Sequence, residues 1–342
     1  MKAKTITIAL EDKGSYLGME KGCFMLKDKK GEVQRYPLFE NEIGEIVVTS
    51  GNLISTGVLA CCGFWAIPVV VKTSKGDPVA ILRSIDDSSH VETRVKQYEA
   101  LTNGKGIEIA KNIVLSKIEG QNLILNKYHL EELDLSAIRD KVERVSGTLT
   151  NVRKRLLPIE GRASDIYFTQ IFELFHEELR VENRKTYKAY DGLNNCFNLI
   201  YTLLKYRVYS AVLGAHLEPF LGFVHSDQFG KPSLVCDLME LWRYLCDDFL
   251  IGFSRNLKME DFVLKTEWFS ASRKGKRQVL SEAKSRELST GFDQYLEKMV
   301  DVPRIRFGKR QSLETLISEE SMLFAKYLRS ETDSWVPRIA SV

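Results

Sequence analysis

The feature that most constrains this 342-residue chain is a change in its apolar period. Up to about residue 85 the apolar runs are short, and the first of them is β-branched. They are Thr5 to Leu10, Gly14 to Met19, Cys23 to Leu26, Glu45 to Thr49, and Ala66 to Lys72. Charged, glycine-containing turns separate them, and Asp28-Lys29-Lys30-Gly31 marks a hairpin. Such runs read as strands of a meander or small sandwich. Leu53 to Phe64 carries helical spacing instead, and Lys75-Gly76-Asp77-Pro78 closes the last run. The stretch therefore predicts a sheet domain with one short crossover helix.

From about residue 90 the period becomes helical. It runs through Glu92 to Leu101 and Leu130 to Val152, where Asp134-Leu135-Ser136 is a second start signal. Ile166 to Phe175 forms a face, and Phe197 to Val212 a longer one with Gly214 as its stop. Leu234, Leu238, Leu241, Trp242, Leu245 and Phe249 form a third. The polar stretch Ser84 to Ser89 reads as a linker. The prediction is an α+β chain: a small β-rich domain over 1–84, then a larger all-α domain over 85–342.

Apolar residues make up 44% and charged residues 28%, as in a globular protein. A net charge of +3 excludes a molecule that binds polyanions over its whole surface. Any basic footprint must be local, and Lys265 to Arg310 offers one, with twelve basic residues against six acidic. Its densest piece, Arg273-Lys274-Gly275-Lys276-Arg277, reads as a mobile loop or a helix start. Phosphate binding and a plain solvated face both fit this composition. The six cysteines form no C-x-x-C pair, which argues against a zinc ribbon and for reduced thiols. No signal pattern opens the chain, and Val58 to Val71 is too short to span a bilayer. A soluble intracellular protein is expected.

Three segments between Pro158 and Arg243 carry potential metal ligands: Glu160, His225, and the pair Asp237 and Glu240. A helix turns 100° per residue, which sets Asp237 and Glu240 at about −100° and −160° from Leu238, both off the apolar stripe. Two adjacent acids repel unless a cation or a basic partner sits nearby, and Arg243 is the one local candidate. Glu160 follows Pro158 as an acid in a first helical turn would. Gly161 would admit a close backbone or ligand. His225 closes an apolar run, where a lone histidine is more often structural than a ligand. Spacing alone leaves the bland explanations open.

The order and context of these segments resemble the CRISPR-associated integrase-endonuclease family, the metal-dependent DNase subunit of the spacer-acquisition complex. The resemblance rests on Ile159 to Ser164 with Tyr167-Phe168, and on Asp191 to Asn195. It continues in Leu217 to His225 and Pro232 to Arg243, and reaches back to Pro37-Leu38 through Val71 and Lys75-Gly76. Ser164 stands where a second Ala is usual and Gly192 where Pro is frequent. The last 90 residues match only loosely.

The resemblance implies a β-rich dimerisation domain and a helical catalytic domain in a prokaryotic cytoplasm. It implies Glu160, His225 and Glu240 as ligands of Mg²⁺ or Mn²⁺, with Asp237 as a possible assisting acid. Arg243, Arg273, Lys274, Lys276 and Arg277 are candidates for DNA phosphates. The implied partners are double-stranded and branched DNA, a second copy of the chain, and a small ferredoxin-like protein. The implied reaction is attack of a DNA 3′-hydroxyl on a phosphodiester, with water giving cleavage instead. A purely hydrolytic nuclease acting on branched DNA in repair, or a non-catalytic DNA-binding scaffold, are the alternatives.

Overall fold

The computed structural model describes residues 5–38, 42–74, 78–85, 91–187, 189–225, 230–270, 273–301 and 310–341. The chain divides into two compact units, Met1–Ser89 and His90–Val342.

The first unit holds strands β1 (Thr5–Leu10), β2 (Tyr16–Glu20), β3 (Cys23–Lys27), β4 (Val33–Pro37), β5 (Glu42–Thr49) and β6 (Leu53–Ile54). Helix α1 (Thr56–Phe64), β7 (Val69–Lys72) and β8 (Pro78–Leu82) follow. They make two four-stranded sheets, ordered β1-β5-β7-β8 and β4-β3-β2-β6. The β3–β4 hairpin turns where expected: Asp28 accepts from the backbone N–H of Lys30 and Glu32, and Gly31 adopts φ +90°. Helix α1 is the expected crossover, joining β5 to its parallel neighbour β7. Ser55 caps it by accepting from the Val58 N–H. Ile8, Leu17, Phe24, Ile46, Val58 and Cys62 bury between these elements. Lys75, Gly76 and Asp77, read as the closing turn, lie outside the described residues, as does most of the Ser84–Ser89 linker.

The second unit is mainly helical: α2 (Val91–Ala100), α3 (Lys105–Lys127), α4 (Leu135–Glu143), α5 (Leu149–Phe172), α6 (Gly192–Gly214), α7 (Ser233–Met239) and α8 (Arg243–Ser254). The antiparallel hairpin β9 (Phe262–Ser270) and β10 (Arg273–Leu280) comes next, then α9 (Glu282–Leu296), β11 (Met299–Asp301), β12 (Arg310–Ser312) and α10 (Leu313–Leu328). Two strand pairs thus interrupt the helices. The segment Arg273 to Arg277, expected as a loop or helix start, is instead strand β10, and its Lys274 and Lys276 alternate with Gly275 and Arg277 across the ribbon.

Helix α3 runs through the centre of this unit and buries Ile109, Ile113, Ile118, Ile124 and Leu125. Gly120 is required there: a Cβ would lie 2.6 Å from the Tyr244 ring. Asp134 caps α4 through the Ala137 N–H, as the start signal predicted. Two expectations are corrected. Helix α6 does run to Gly214, but the left-handed residue beyond its end is His216 (φ 57°). The apolar face Leu234 to Phe249 is two helices rather than one, because Glu240 to Trp242 form a turn between α7 and α8.

Candidate active site

Four elements converge on a cluster of buried charge. Helix α3 supplies Lys117, α5 supplies Glu160 and Arg153, the turn after α7 supplies Glu240, and the first residue of α8 is Arg243. The loop 222–225 brings His225, held by Asp237 of α7.

Glu160 is not in a first turn. Helix α5 starts at Leu149, nine residues before Pro158, and is capped by the Thr148 hydroxyl, which accepts from the Asn151 N–H. Pro158 therefore sits inside the helix and removes one rung of its ladder. The Thr cap and the unbroken apolar face outweighed the usual preference of Pro for a helix start. Gly161 meets no neighbour within 4 Å of a built Cβ, so no close backbone approach explains it.

The helix-phase expectation for Asp237 and Glu240 fails. Both are buried, Asp237 fully and Glu240 to 4% exposure. Helix α7 ends at Met239, so 100° steps stop describing the chain before Glu240, and packing covers more than one side of so short a helix. The two acids also do different work. Asp237 accepts from three successive backbone N–H groups, those of Phe223, Val224 (2.9 Å) and His225 (2.8 Å). Its Oδ1 also lies 2.7 Å from His225 Nδ1. A carboxylate can only accept, so Nδ1 carries the proton and the ring's electron pair is left on Nε2. Arg153 grips the same loop from the opposite side: Nε donates to the Phe223 carbonyl at 2.8 Å, and Nη2 donates to that of Gly222. Gly222 is needed, since a Cβ would meet the Ser233 backbone and Asp237 below 3 Å. Asp237 is thus the residue that orients the histidine.

Glu240 faces cations. Arg243 Nη2 lies 3.1 Å from Oε1, and Lys117 Nζ lies 2.9 Å from Oε2. The second contact is off the hydrogen-bonding direction, so the buried Oε2 accepts no hydrogen bond among the described residues. The same ammonium donates to Glu160 Oε1, which makes Lys117 a bridge between the two carboxylates. Burial alone would raise the Glu240 pKa, but Arg243, Lys117 and His225 outweigh it and hold the group down at about 2. Burial likewise works against the charge on Lys117, and Glu240 and Glu160 overcome it, so its pKa is raised. Arg243 also lies over the Tyr201 ring at 5.0 Å.

Beneath Glu240 is a cavity of about 20 Å³, room for roughly one water, lined by Lys117, Gln121, Glu240, Arg243 and Asp247 among others. Asp247 accepts from the hydroxyls of Tyr201 (2.6 Å) and Tyr167 (2.8 Å). Its burial still prevails and pushes its pKa up to about 6.

Glu160, Glu240 and His225 therefore surround one small region, although no three His, Cys, Asp or Glu side chains converge at ligating distance among the described residues. Two carboxylates and an imidazole suit Mg²⁺ or Mn²⁺. The fit is supported by the acceptor-only Oε2 and by the ammonium lodged between the carboxylates, a place built for positive charge. Of the basic candidates, Arg243 belongs to this cluster. Arg277 does not: it donates to Asn195 Oδ1 at 2.8 Å and pairs with Glu267 at 3.4 Å, pinning the hairpin to α6. Lys274 and Lys276 are exposed on that hairpin, and the side chain of Arg273 lies outside the described residues, as do Arg304, Arg306 and Lys309.

Sequence reasoning missed Lys117, Arg153 and the whole of α3. Its signal was present: Ile109, Ile113 and Ile124 fall within about 60° of one another at 100° per residue, and Lys117 interrupts that apolar face.

A profile of the family described as CRISPR associated protein Cas1 matches residues 8–285. A CRISPR-associated endonuclease Cas1 of Pyrobaculum aerophilum is 31% identical over 243 residues, covering 69% of this chain and 78% of its own. Among solved structures, a casposase bound to integration product superposes with a TM-score of 0.76 at 20% identity, covering 96% of this chain and 92% of that one. A Cas6-RT-Cas1–Cas2 complex superposes with a TM-score of 0.74 at 18% identity, covering 97% of this chain and 36% of that one.

Proposed function

The chain belongs to the CRISPR associated protein Cas1 family, and from that premise we propose that it is a DNA integrase and endonuclease that inserts short spacers into a repeat array. The observation that carries this reading is the buried ammonium held between Glu160 and Glu240 with His225 beside them. Such a charge arrangement is costly to build and serves no packing purpose.

Glu160, His225 and Glu240 are the residues that would hold a Mg²⁺ or Mn²⁺ ion. When bound, the ion supplies polarisation of a phosphodiester and stabilises charge on its oxygens. The protein's own contribution is placement. Asp237 and Arg153 fix the loop, so His225 offers Nε2 without searching rotamers. Arg243 keeps Glu240 ionised across the physiological range. In integration the attacking group is a DNA 3′-hydroxyl; with water in its place the product is a cut strand. The exposed Lys274 and Lys276 on the hairpin are candidates for contacts with phosphates.

The Cas6-RT-Cas1–Cas2 complex among the solved relatives supports a partner of the Cas2 kind; a small ferredoxin-like fold for that partner, and a second copy of this chain joined through the N-terminal sheets, belong to the same proposal. A prokaryotic cytoplasmic location fits the family, and no described helix is long and apolar enough to cross a membrane.

The test is strand transfer of a DNA with a free 3′-end into a repeat-containing target. Glu160→Ala and His225→Ala should abolish joined product while leaving the circular-dichroism melt cooperative. Full activity in either variant would sink the assignment. Cleavage of branched DNA with no joined product would favour the hydrolytic nuclease, and identical behaviour with and without chelator the scaffold.

A further inference from the structure

We infer that Lys117 is the resident cation of this site, holding the seat between Glu160 and Glu240 until a divalent ion displaces it into the adjoining cavity. The inference rests on the metal reading given above.

Two carboxylates that share one cation, Glu240 buried and Glu160 half-buried, need that counter-charge. Lys117, itself buried, supplies it from one turn before the Gly120 crossing. An ammonium and a divalent ion compete for the same oxygens, because both are compact positive charges. Lysine suits displacement, since its charge rides on a flexible four-carbon stem and can leave without moving the helix.

The structure also provides somewhere to go. The cavity of about 20 Å³ opens directly onto Lys117. Gln121, four residues along the same helix, lines it and is 4% exposed. Its Nε2 donates to Ser164 Oγ at 3.2 Å, while its buried Oε1 has no partner among the described residues. Asp247 lines the same space. An ammonium swung into the cavity would find an orphaned carbonyl oxygen and a carboxyl group, and Glu160 and Glu240 would be released to the incoming ion. Metal binding and the Lys117 rotamer are then one two-state exchange.

The experiment is calorimetric titration of Mn²⁺ into the full-length protein, with melting temperature measured with and without Mn²⁺. Lys117→Met should bind Mn²⁺ at least tenfold more tightly than wild type. Its metal-free form should melt lower, and saturating Mn²⁺ should restore the loss. Equal or weaker affinity overturns the inference. If Lys117→Met does not fold without metal, the Mn²⁺ concentration that drives its refolding replaces the calorimetric value; failure of Mn²⁺ to refold it also overturns the inference. Gln121→Leu removes the retreat and should weaken Mn²⁺ binding several-fold, and unchanged affinity rejects that part. Glu160→Gln separates the two levels. If it binds Mn²⁺ as wild type does, the metal reading itself fails. If it loses binding while Lys117→Met matches wild type, only the role of Lys117 falls.

Discussion

The two units of this chain bury different kinds of atoms. Among the described residues of the N-terminal unit, Ser15 is the one polar side chain that is buried, and the core is Ile, Leu, Val, Phe and Cys. The helical unit buries Lys117, Asp237, Glu240, Asp247, Asp248, Glu320 and Arg338. A sheet packed with β-branched residues needs no internal charge to hold together. Each buried charge in the helical unit is matched by a stated partner: Glu320 takes the Trp335 and Arg338 donors, and Asp248 pairs with Lys127 at 2.7 Å. What sets the cluster around Glu240 apart is its partner. The other acids each have donors of their own, whereas Glu160 and Glu240 share the Lys117 ammonium.

This contrast can be broken most forcefully at Asp237. Asp237→Ala strands three backbone N–H groups and the His225 ring. It should cost about 3–5 kcal/mol of stability and lower Mn²⁺ affinity by roughly 10–100-fold, read by denaturant melts and calorimetry. A melt and an affinity matching wild type would contradict the positioning role.

Next come two buried acids of opposite pH sign, measured in chelator. The Glu240 pKa is depressed from 4.5 to about 2, so its stabilisation is complete above pH 4.5 and is lost as pH falls toward 2. The Asp247 pKa is raised from 3.8 to about 6, so its contribution is greatest below pH 3.8 and declines as pH rises through 6. Each shift corresponds to about 3 kcal/mol. The stability difference between wild type and Glu240→Gln should therefore grow with pH across its window, and that between wild type and Asp247→Asn should shrink across its own. Parallel slopes would mean the two environments are not distinct.

Arg153→Met frees the carbonyls of Gly222 and Phe223 and should cost about 2 kcal/mol. Mn²⁺ affinity should fall in the same variant, because the loop that carries His225 loosens; a stability loss with unaltered affinity would reduce Arg153 to a packing role. The smallest effect belongs to the other unit. Val58→Ala removes two buried methyl carbons from the N-terminal core and should cost about 1–2 kcal/mol. Mn²⁺ affinity should not change, and a change there would break the separation of the two units.

Much of this was legible in the chain before folding. Strands β2 and β3 follow from short apolar runs between turn residues, β5 and β7 from β-branched ones, and α6 from a face that recurs every 3.6 residues. The candidate ligands were visible through the order of their segments. Less legible were the helix ends. Pro158 looked like a start because proline suits a first turn, yet Thr148 had already capped the helix ten residues earlier. The face Leu234 to Phe249 looked continuous because Leu241 and Trp242 are apolar wherever the backbone turns.

By itself, then, the sequence determined most element types and the division near residue 85, and singled out Glu160, His225 and Glu240 as candidates, because period, turn chemistry and motif order are local properties. Only the tertiary structure decided that Asp237 orients His225 and that Lys117 lies between Glu160 and Glu240. Lys117 is 43 residues from Glu160 along the chain. No local rule joins residues so far apart, and their meeting depends on α3 packing between α5 and α8 at a distance that Gly120 permits.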